Sequence, residues 1–226
     1  MKLIAVNGSP RKAWNTSTLL EHALKGAKSC GADTELVHLY DLSYKGCRSC
    51  FACKLVDGNS YGRCVMRDDL TSILRGIEEQ CDALVLGTPI YFASMTGETR
   101  SFLERLLFAP IVYSVPAKTL FPRAMKTGVI YTMNATEEMS TQRGYATLIQ
   151  ATEAYLKTIF GHAESYCCYD TCQFPDYSKV VMELYDPRKK ASRRDEVFPL
   201  DCRNAFDLGC RLVADRRGSA GRLLLP

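Results

Sequence analysis

Short apolar runs alternate with longer amphipathic segments along most of the chain. Five of these runs are candidate strands, at residues 2–6, 34–40, 82–89, 127–133 and about 163–169. Between them, apolar side chains recur at helical spacing, as in the stretch from Ser17 to Lys28. We therefore predict an α/β fold, a doubly wound parallel sheet of five strands with helices on both faces.

Further helices complete this pattern. One is expected to begin at Asp68 or Asp69, and its apolar face holds Leu70, Ile73, Leu74 and Ile77. Others are predicted from Gly97 onward, over 144–160 and near 199–216. The proline-rich segment 110–122 is expected to be irregular.

The chain of 226 residues has the length of one α/β domain. No linker rich in proline, glycine or serine divides it, so we predict a single domain over residues 1–217 and a flexible tail over 218–226. The longest uncharged stretch, 83–97, is broken by Gly87 and Pro89, and the first apolar run is too short for a secretion signal. We expect a cytoplasmic protein without a membrane span.

Charge and cysteine content narrow the possible partners. The formal net charge of +4 is mild, and the basic residues of "DPRKKASRRDE" are interleaved with acidic ones and lack an aromatic partner. We interpret this run as a solvated surface and expect no nucleic-acid site. The eleven cysteines are expected to be reduced thiols in a cytoplasm.

The loop after the first predicted strand is rich in polar side chains just before a helix. It contains neither G-x-G-x-x-G nor G-x4-G-K-[ST]. Its candidate phosphate ligands are Ser9, Arg11, Asn15, Thr16, Ser17 and Thr18, together with the free N–H groups of the first helical turn. In the alternative interpretation, Asn15 or Thr16 only caps the helix. The position after strand one of a doubly wound sheet favours the phosphate.

A second motif, "GTPIYFASMTGETRSFLERL", follows the third predicted strand. Together with "GSPR…NTS" it resembles the NADPH-dependent FMN reductase and flavodoxin-like family over about residues 1–170. The resemblance implies a flavodoxin-like sheet whose first loop holds the FMN phosphate. It also implies that the flavin ring contacts Pro89, Ile90, Tyr91, Ser94 and Met95, and that Thr132, Met133 and Asn134 border it. The loop after strand four departs from the family, because it carries Glu137 and Glu138 instead of a glycine-rich sequence.

The same resemblance implies an oxidoreductase. FMN would carry electrons from NAD(P)H, a transient co-substrate, to a small-molecule or protein acceptor such as a quinone or flavin, without a catalytic acid or base from the protein. One alternative is a flavodoxin-type or iron-sulfur flavoprotein carrier between protein partners, and another is a flavin-free redox or metal sensor. A homodimer or homotetramer is expected, since a second subunit often completes flavin sites in this family.

Four cysteines lie in the loop after the second predicted strand, residues 44–67. Cys47, Cys50 and Cys53 are separated by two residues each, and Cys64 follows after ten more. Such thiols can converge on zinc or on a 4Fe-4S cluster. The motif resembles that of the iron-sulfur flavoproteins, which place the fourth cysteine closer. A cluster, zinc and a metal-free loop all remain open, and the basic residues Arg48, Lys54 and Arg63 are expected to lower the thiol pKa values.

The other cysteines are interpreted as small buried residues. They are Cys167, Cys168 and Cys172 near the fifth strand, and the scattered Cys30, Cys81, Cys202 and Cys210. The three histidines, His22, His38 and His162, indicate no catalytic pair.

Overall fold

A computed structural model describes residues 1–214. Its strands are β1 (Lys2–Asn7), β2 (Asp33–His38), β3 (Ala83–Tyr91), β4 (Ser94–Met95), β5 (Ile111–Val112), β6 (Lys118–Thr119), β7 (Lys126–Thr132) and β8 (Glu164–Cys168). Its α-helices are α1 (Asn15–Ser29), α2 (Leu70–Gln80), α3 (Gly97–Phe108), α4 (Glu137–Gln142), α5 (Tyr145–Phe160), α6 (Pro187–Ser192) and α7 (Phe198–Val213). The predicted tail, 218–226, lies outside the described residues.

Five parallel strands form the central sheet in the order β2-β1-β3-β7-β8. Counted along the chain without the short strands, this is the 2-1-3-4-5 order of flavodoxin-like folds. The order reverses beside β1, so the carboxyl ends of β1 and β3 flank the switch point where such folds bind ligands. The predicted fold class is confirmed.

Alternating side chains of β1 separate the core into two layers. Ile4 and Val6 pack with α2, α3 and α5 on one face of the sheet. Leu3 and Ala5 pack with α1 and α7 on the other face. Because both faces are covered, nearly every position of β1 is buried, as its continuous apolar sequence predicts.

Some local expectations differ from the structure. β2 ends at His38 and passes into a short 3-10 turn, and the segment 110–122 contains the antiparallel pair of β5 and β6. Neither candidate aspartate caps α2 through its side chain. The Asp69 carboxylate instead accepts from the Ser43 backbone N–H at 2.7 Å, and Asp68 forms an ion pair with Arg105. Both carboxylates therefore anchor the ends of the cysteine loop.

The expectation of reduced thiols is wrong for one pair. Cys30, which follows α1, forms a disulfide with Cys210 of α7, 180 residues away in sequence. Cys30 is also exposed rather than buried. The pairing follows from the packing of α1 against α7, which sequence spacing alone does not reveal.

Two glycines allow α1 and α7 to approach closely. A Cβ at Gly209 would lie 1.8 Å from the Ala23 carbonyl oxygen, and a Cβ at Gly26 would lie 1.9 Å from the Phe206 carbonyl oxygen. Each helix thus needs a residue without a side chain where it meets the backbone of the other. This contact positions α1, whose first turn faces the carboxyl edge of the sheet.

We expect Gly209→Ala to lower the free energy of unfolding by about 2 to 3 kcal/mol, because the backbone it meets cannot move without separating the helices. Gly76→Ala in α2 is the matched control, since a Cβ there meets nothing within 4 Å. It should raise stability by about 0.5 to 1 kcal/mol through helix propensity. Urea unfolding measures both, and a Gly209→Ala protein as stable as the parent would contradict the close approach.

Candidate functional site

A cleft of about 100 Å³ with mixed polar and apolar walls lies at the carboxyl edge of the sheet. Four strand-end loops, after β1, β3, β7 and β8, supply its walls. The lining residues are Ser9, Arg11, Trp14, Asn15, Thr16, Pro89, Ile90, Tyr91, Thr132, Met133, Asn134, Thr171, Cys172 and Gln173. We call it the carboxyl-edge cleft.

Most of the candidate residues from the sequence meet in this cleft, but four do not line it. Ser17 and Thr18 lie further into α1, and Ser94 and Met95 form β4 behind the rim. Conversely, Trp14 and the segment Thr171–Gln173 line it without having been selected as ligands from the sequence. The segment follows β8, and it could have been found only from the rule that ligands gather at the carboxyl ends of parallel strands.

The first turn of α1 has no side-chain cap. Its N-cap residue is Trp14, whose side chain accepts no hydrogen bond from the helix. Asn15 donates instead to the Cys172 carbonyl at 2.8 Å, and the Thr16 and Thr132 hydroxyls are hydrogen-bonded at 2.7 Å. The interpretation of Asn15 or Thr16 as a cap is therefore wrong, and among the described residues no side chain caps this helix end.

Ser17 adds a second unsatisfied donor at this helix end. Its hydroxyl is fully buried and has no hydrogen-bond partner among residues 1–214. Buried hydroxyls normally have partners, so an orphan beside uncapped N–H groups suits an anionic ligand. Nearby, Arg11 donates to the Gln173 carbonyl at 2.6 Å.

The loop after β1 is held against β3 and the start of α3 by close contacts. The Gly8 N–H donates to the Gly87 carbonyl at 2.8 Å, and the Thr96 hydroxyl donates to the Gly8 carbonyl at 2.7 Å. A Cβ at Gly8 would lie 1.9 Å from the Thr99 hydroxyl oxygen. Glycine at position 8 therefore keeps the two walls of the cleft in register.

A tight hairpin borders the cleft at the end of β3. Tyr91 pairs with Ser94 across the turn, and the two turn residues, Phe92 and Ala93, have φ values of 49° and 59°. Positive φ at both positions is the geometry of a type I′ turn. Tyr91 is 43% exposed and Phe92 fully exposed. The hairpin thus presents two aromatic rings beside the carboxyl-edge cleft.

Most of the basic C-terminal run is exposed as predicted, but Lys190 and Arg194 are exceptions to the solvated surface. Lys190 of α6 is only 2% exposed; its ammonium contacts the Asp170 carboxylate and donates to the Asn134 carbonyl at 2.9 Å. Arg194, in the π-helical turn Arg193–Val197, donates to the Asn15 side chain and lies 5.4 Å from the Trp14 ring centre. The spacing of four between Lys190 and Arg194 places both on one helical face, so both cations lie on the side that meets the loops of the cleft.

The four loop cysteines, Cys47, Cys50, Cys53 and Cys64, line one small cavity of about 20 Å³. The ten-residue gap before Cys64 therefore does not keep it away from the other three. Within the described part of the chain, however, no three His, Cys, Asp or Glu side chains are arranged close enough to hold a metal ion. The structure gathers the predicted ligands around one space without forming a closed coordination site.

Two cations anchor this loop. The Lys54 ammonium donates to the carbonyls of Phe108, the last residue of α3, and Ile111 of β5. The Arg105 guanidinium pairs with Asp68 at 2.6 Å and donates to the Lys45 carbonyl at 3.3 Å. Both sides of the loop are thereby tied to the carboxyl end of α3, which favours cations.

The thiols of the loop differ in acidity. A hydrogen bond from the Ala52 backbone N–H, assisted by Arg48, lowers the pKa of the Cys50 thiol. Burial raises the pKa of the Cys53 thiol and outweighs the opposing effect of Lys54. The expectation of uniformly lowered pKa values is thus wrong, and Arg63 is engaged with Glu78 instead. Cys50, which is exposed, is the more thiolate-like of the two.

Outside the loop, Cys81, Cys168, Cys172 and Cys202 are buried as predicted, whereas Cys167 is only half-buried. The Cys168 thiol lies 3.2 Å from an Asp201 carboxylate oxygen, and burial raises the pKa of that thiol.

His38 is hydrogen-bonded to Asn7 at 2.9 Å. Within residues 1–214, no helix is both long and apolar enough to cross a bilayer.

Comparison with known proteins identifies the family. The sequence profile of a family described as NADPH-dependent FMN reductase matches residues 1–134. The chain belongs to this family. The resemblance inferred from the two loop motifs is thereby confirmed.

Curated relatives of this FMN reductase family member include an iron-sulfur flavoprotein of Archaeoglobus fulgidus. It is 37% identical over 127 residues, which cover 50% of this chain and 59% of the relative. The chain spans about half the length of the curated relatives it matches.

Solved structures share the fold at low sequence identity. The chain is similar to an NAD(P)H:quinone oxidoreductase from Methanothermobacter marburgensis, with a TM-score of 0.69, 14% identity, and coverage of 94% of this chain and 98% of that one. It is also similar to an FMN-dependent NADH-azoreductase from Bacillus anthracis in complex with FMN, with a TM-score of 0.61, 12% identity, and coverage of 95% and 100%. These likenesses extend beyond residue 134 and support the flavodoxin-like sheet.

Substitutions of two adjacent lysines test whether the buried Lys190 stabilises the fold. Lys190→Met removes the cation from Asp170 and the Asn134 carbonyl, so we expect the free energy of unfolding to fall by about 3 kcal/mol. Lys189→Met is the matched control: Lys189 is exposed, and the change should stay within about 0.5 kcal/mol. Guanidinium unfolding measures both values. Equal stabilities of the two variants would show that Lys190 does not bind the C-terminal segment to the cleft.

Proposed function

We propose that the carboxyl-edge cleft binds FMN and that the protein is an NAD(P)H-dependent flavin oxidoreductase. The observation that carries the proposal is the first turn of α1, where within residues 1–214 no side chain caps the backbone N–H groups and the buried Ser17 hydroxyl has no hydrogen-bond partner. A phosphate monoester satisfies several such donors at once and is favoured by the helix dipole. Membership of the FMN reductase family supports the same ligand.

The cleft is large enough for only one part of the FMN molecule. About 100 Å³ accommodates a phosphate and the adjoining chain, but not a complete FMN. The phosphate is assigned to Ser9, Arg11, Asn15 and Thr16, which line the cleft, and to Ser17, whose buried hydroxyl lies behind them at the same helix end. Thr18 is a weaker candidate than expected, because its N–H already donates to the Trp14 carbonyl at 2.9 Å.

The flavin ring is assigned to the rim formed by Pro89, Ile90 and Tyr91. Ser94 and Met95 act there through the hairpin that they close, since they do not line the cleft. On the opposite side, Thr132, Met133 and Asn134 face the cleft, and the Asn134 amide oxygen is buried without a partner in the described chain. That oxygen is available to an N–H group at the edge of the ring.

When bound, FMN supplies the redox chemistry, accepting hydride equivalents from the nicotinamide and delivering electrons to an acceptor. The chain's own residues bind the phosphate, orient the ring along the hairpin and exclude water from one side of it. We propose a quinone, a flavin or a related small molecule as the acceptor, in a homodimer or homotetramer. A carrier docking to protein partners is the alternative, which the net charge of +4 disfavours because small flavodoxins usually dock through acidic surfaces.

FMN titration tests the assignment, with Trp14 as the reporter. Trp14 is the only tryptophan and lines the cleft, so bound FMN should quench its emission. Ser17→Ala should weaken FMN binding about tenfold by removing one hydrogen bond to a charged oxygen. It should leave the stability of the FMN-free protein unchanged or higher, because the lost hydroxyl has no partner there.

Ser29→Ala at the other end of α1 is the control, since its hydroxyl only bonds the Gly26 carbonyl. FMN affinity should not change in that variant. Unchanged Trp14 emission at saturating FMN, or equal FMN affinities of the two variants, would contradict the placement of the phosphate.

We propose further that the cysteine loop carries a 4Fe-4S cluster that exchanges electrons with the flavin. The observation that favours this second function is that Cys47, Cys50, Cys53 and Cys64 line a single cavity. The curated relatives named iron-sulfur flavoproteins support it. Four thiolates are the ligand set that such a cluster requires. The loop's anchoring through Lys54 and Arg105 fixes where that cluster would lie.

Anaerobic purification tests the cluster. We expect about four iron atoms per chain and a broad brown absorption that dithionite bleaches. Cys50→Ser and Cys64→Ser should each lose most of the iron while keeping FMN, whereas Cys167→Ser outside the loop should keep both. A protein that binds FMN but contains zinc, or no metal, would refute the cluster and leave the flavin assignment intact.

A further inference from the structure

A second and larger cavity, of about 600 Å³, lies on the α2 side of the cysteine loop. The loop segment 59–67, one side of α2, the end of α3 and the residues just after β6 enclose it. It shares no lining residue with the carboxyl-edge cleft. We call it the α2 cleft, and the flavin and cluster assignments leave it unused.

The walls of the α2 cleft contain an apolar surface. Leu74 of α2, Leu106 of α3 and Phe121 contribute buried or half-buried side chains. Leu120 lies beside them and is 39% exposed. A volume of several hundred Å³ that combines apolar and polar lining residues is typical of sites for small organic ligands.

Unpaired arginines lie along the same cleft. Arg67 and Arg75 are exposed and form no ion pair with any described residue. Arg63 also lines the cleft, but it is paired with Glu78 at 2.8 Å. Glu79 is the opposing lining carboxylate without an ion pair in the described chain. Two unpaired arginines and one unpaired glutamate therefore leave an excess of positive charge along the cleft.

Arg105 provides an independent sign of a ligand. It is 2% exposed, lines the α2 cleft, and its Nε atom has no hydrogen-bond partner among the described residues. Its Nη1 atom is already used by Asp68 and by the Lys45 carbonyl. A buried guanidinium N–H without an acceptor is rare, because leaving it unpaired is unfavourable.

We propose that the α2 cleft is a second ligand site and that it binds a planar organic anion, an aryl carboxylate or aryl sulfonate. The aromatic body packs on the apolar wall, and the acid group meets Arg67, Arg75 or the free Nε of Arg105. An inorganic anion fits less well, because it would leave the apolar wall exposed to water. An organic cation fits less well, because the excess of positive charge would repel it.

The position of this site gives it a connection to the cysteine loop. Cys64, Val65, Met66, Arg105 and Ala109 line both the α2 cleft and the cysteine cavity. Cys64 is itself one of the four loop cysteines, so a ligand in the α2 cleft lies beside a residue of the cysteine cavity. The binding proposal itself requires neither the flavin nor the cluster.

Binding of 8-anilinonaphthalene-1-sulfonate to the FMN-loaded full-length protein tests the proposal. We expect saturable fluorescence enhancement that naphthalene-2-sulfonate reverses by competition and that sodium sulfate of equal ionic strength does not. Arg75→Glu should weaken binding about fivefold, because an attractive surface charge becomes repulsive. Leu120→Asp should weaken it at least as much, since it places a carboxylate against the apolar wall.

Arg203→Glu is the matched control, because Arg203 is also an exposed helical arginine without an ion pair in the described chain but lies on α7, away from the cleft. The affinity of the Arg203→Glu variant for the probe should equal that of the parent protein. Equal affinities of Arg75→Glu, Leu120→Asp and the parent would overturn the proposal, as would a crystal soaked with naphthalene-2-sulfonate that shows the ligand elsewhere. If the protein binds the probe but does not bind FMN, the flavin assignment alone is refuted and the second ligand site stands.

Discussion

The uncapped first turn of α1 is the constraint around which the carboxyl edge of the sheet is built. A helix end buried without acceptors is unfavourable unless a ligand completes it. The side chains that could have capped it form long-range hydrogen bonds instead. Asn15 bonds the loop after β8, and Thr16 bonds the end of β7. The same interactions that hold the cleft together therefore leave its donors free.

The position of α1 depends in turn on its contact with α7. Gly26 and Gly209 bring the two backbones together, and the Cys30–Cys210 disulfide joins the same helices. The segment just before α7 carries Arg194, which reaches Asn15. The C-terminal part of the chain, beyond the 134 residues that match the family profile, thus helps to shape the cleft formed mainly by the N-terminal part.

Local sequence predicted the five strands and most of the cleft, because apolar runs and strand-end polar loops are short-range signals. Ser9, Arg11 and Thr132 lie where a doubly wound sheet requires them. Lys190 and the Cys30–Cys210 pair could not be predicted, since their burial and pairing depend on residues far away in sequence. The capping roles of Asp68 and Asn15 were wrong for a related reason: each side chain has a long-range partner that competes with the local helix end.

The hairpin at Phe92 and Ala93 has a thermodynamic consequence. Left-handed backbone is unfavourable for side chains other than glycine and asparagine, by about 1 kcal/mol or more at each position. An Asn-Gly turn would connect β3 and β4 with less strain. The chain retains a fully exposed phenylalanine there, so this corner of the fold gives up stability to present an aromatic surface to solvent.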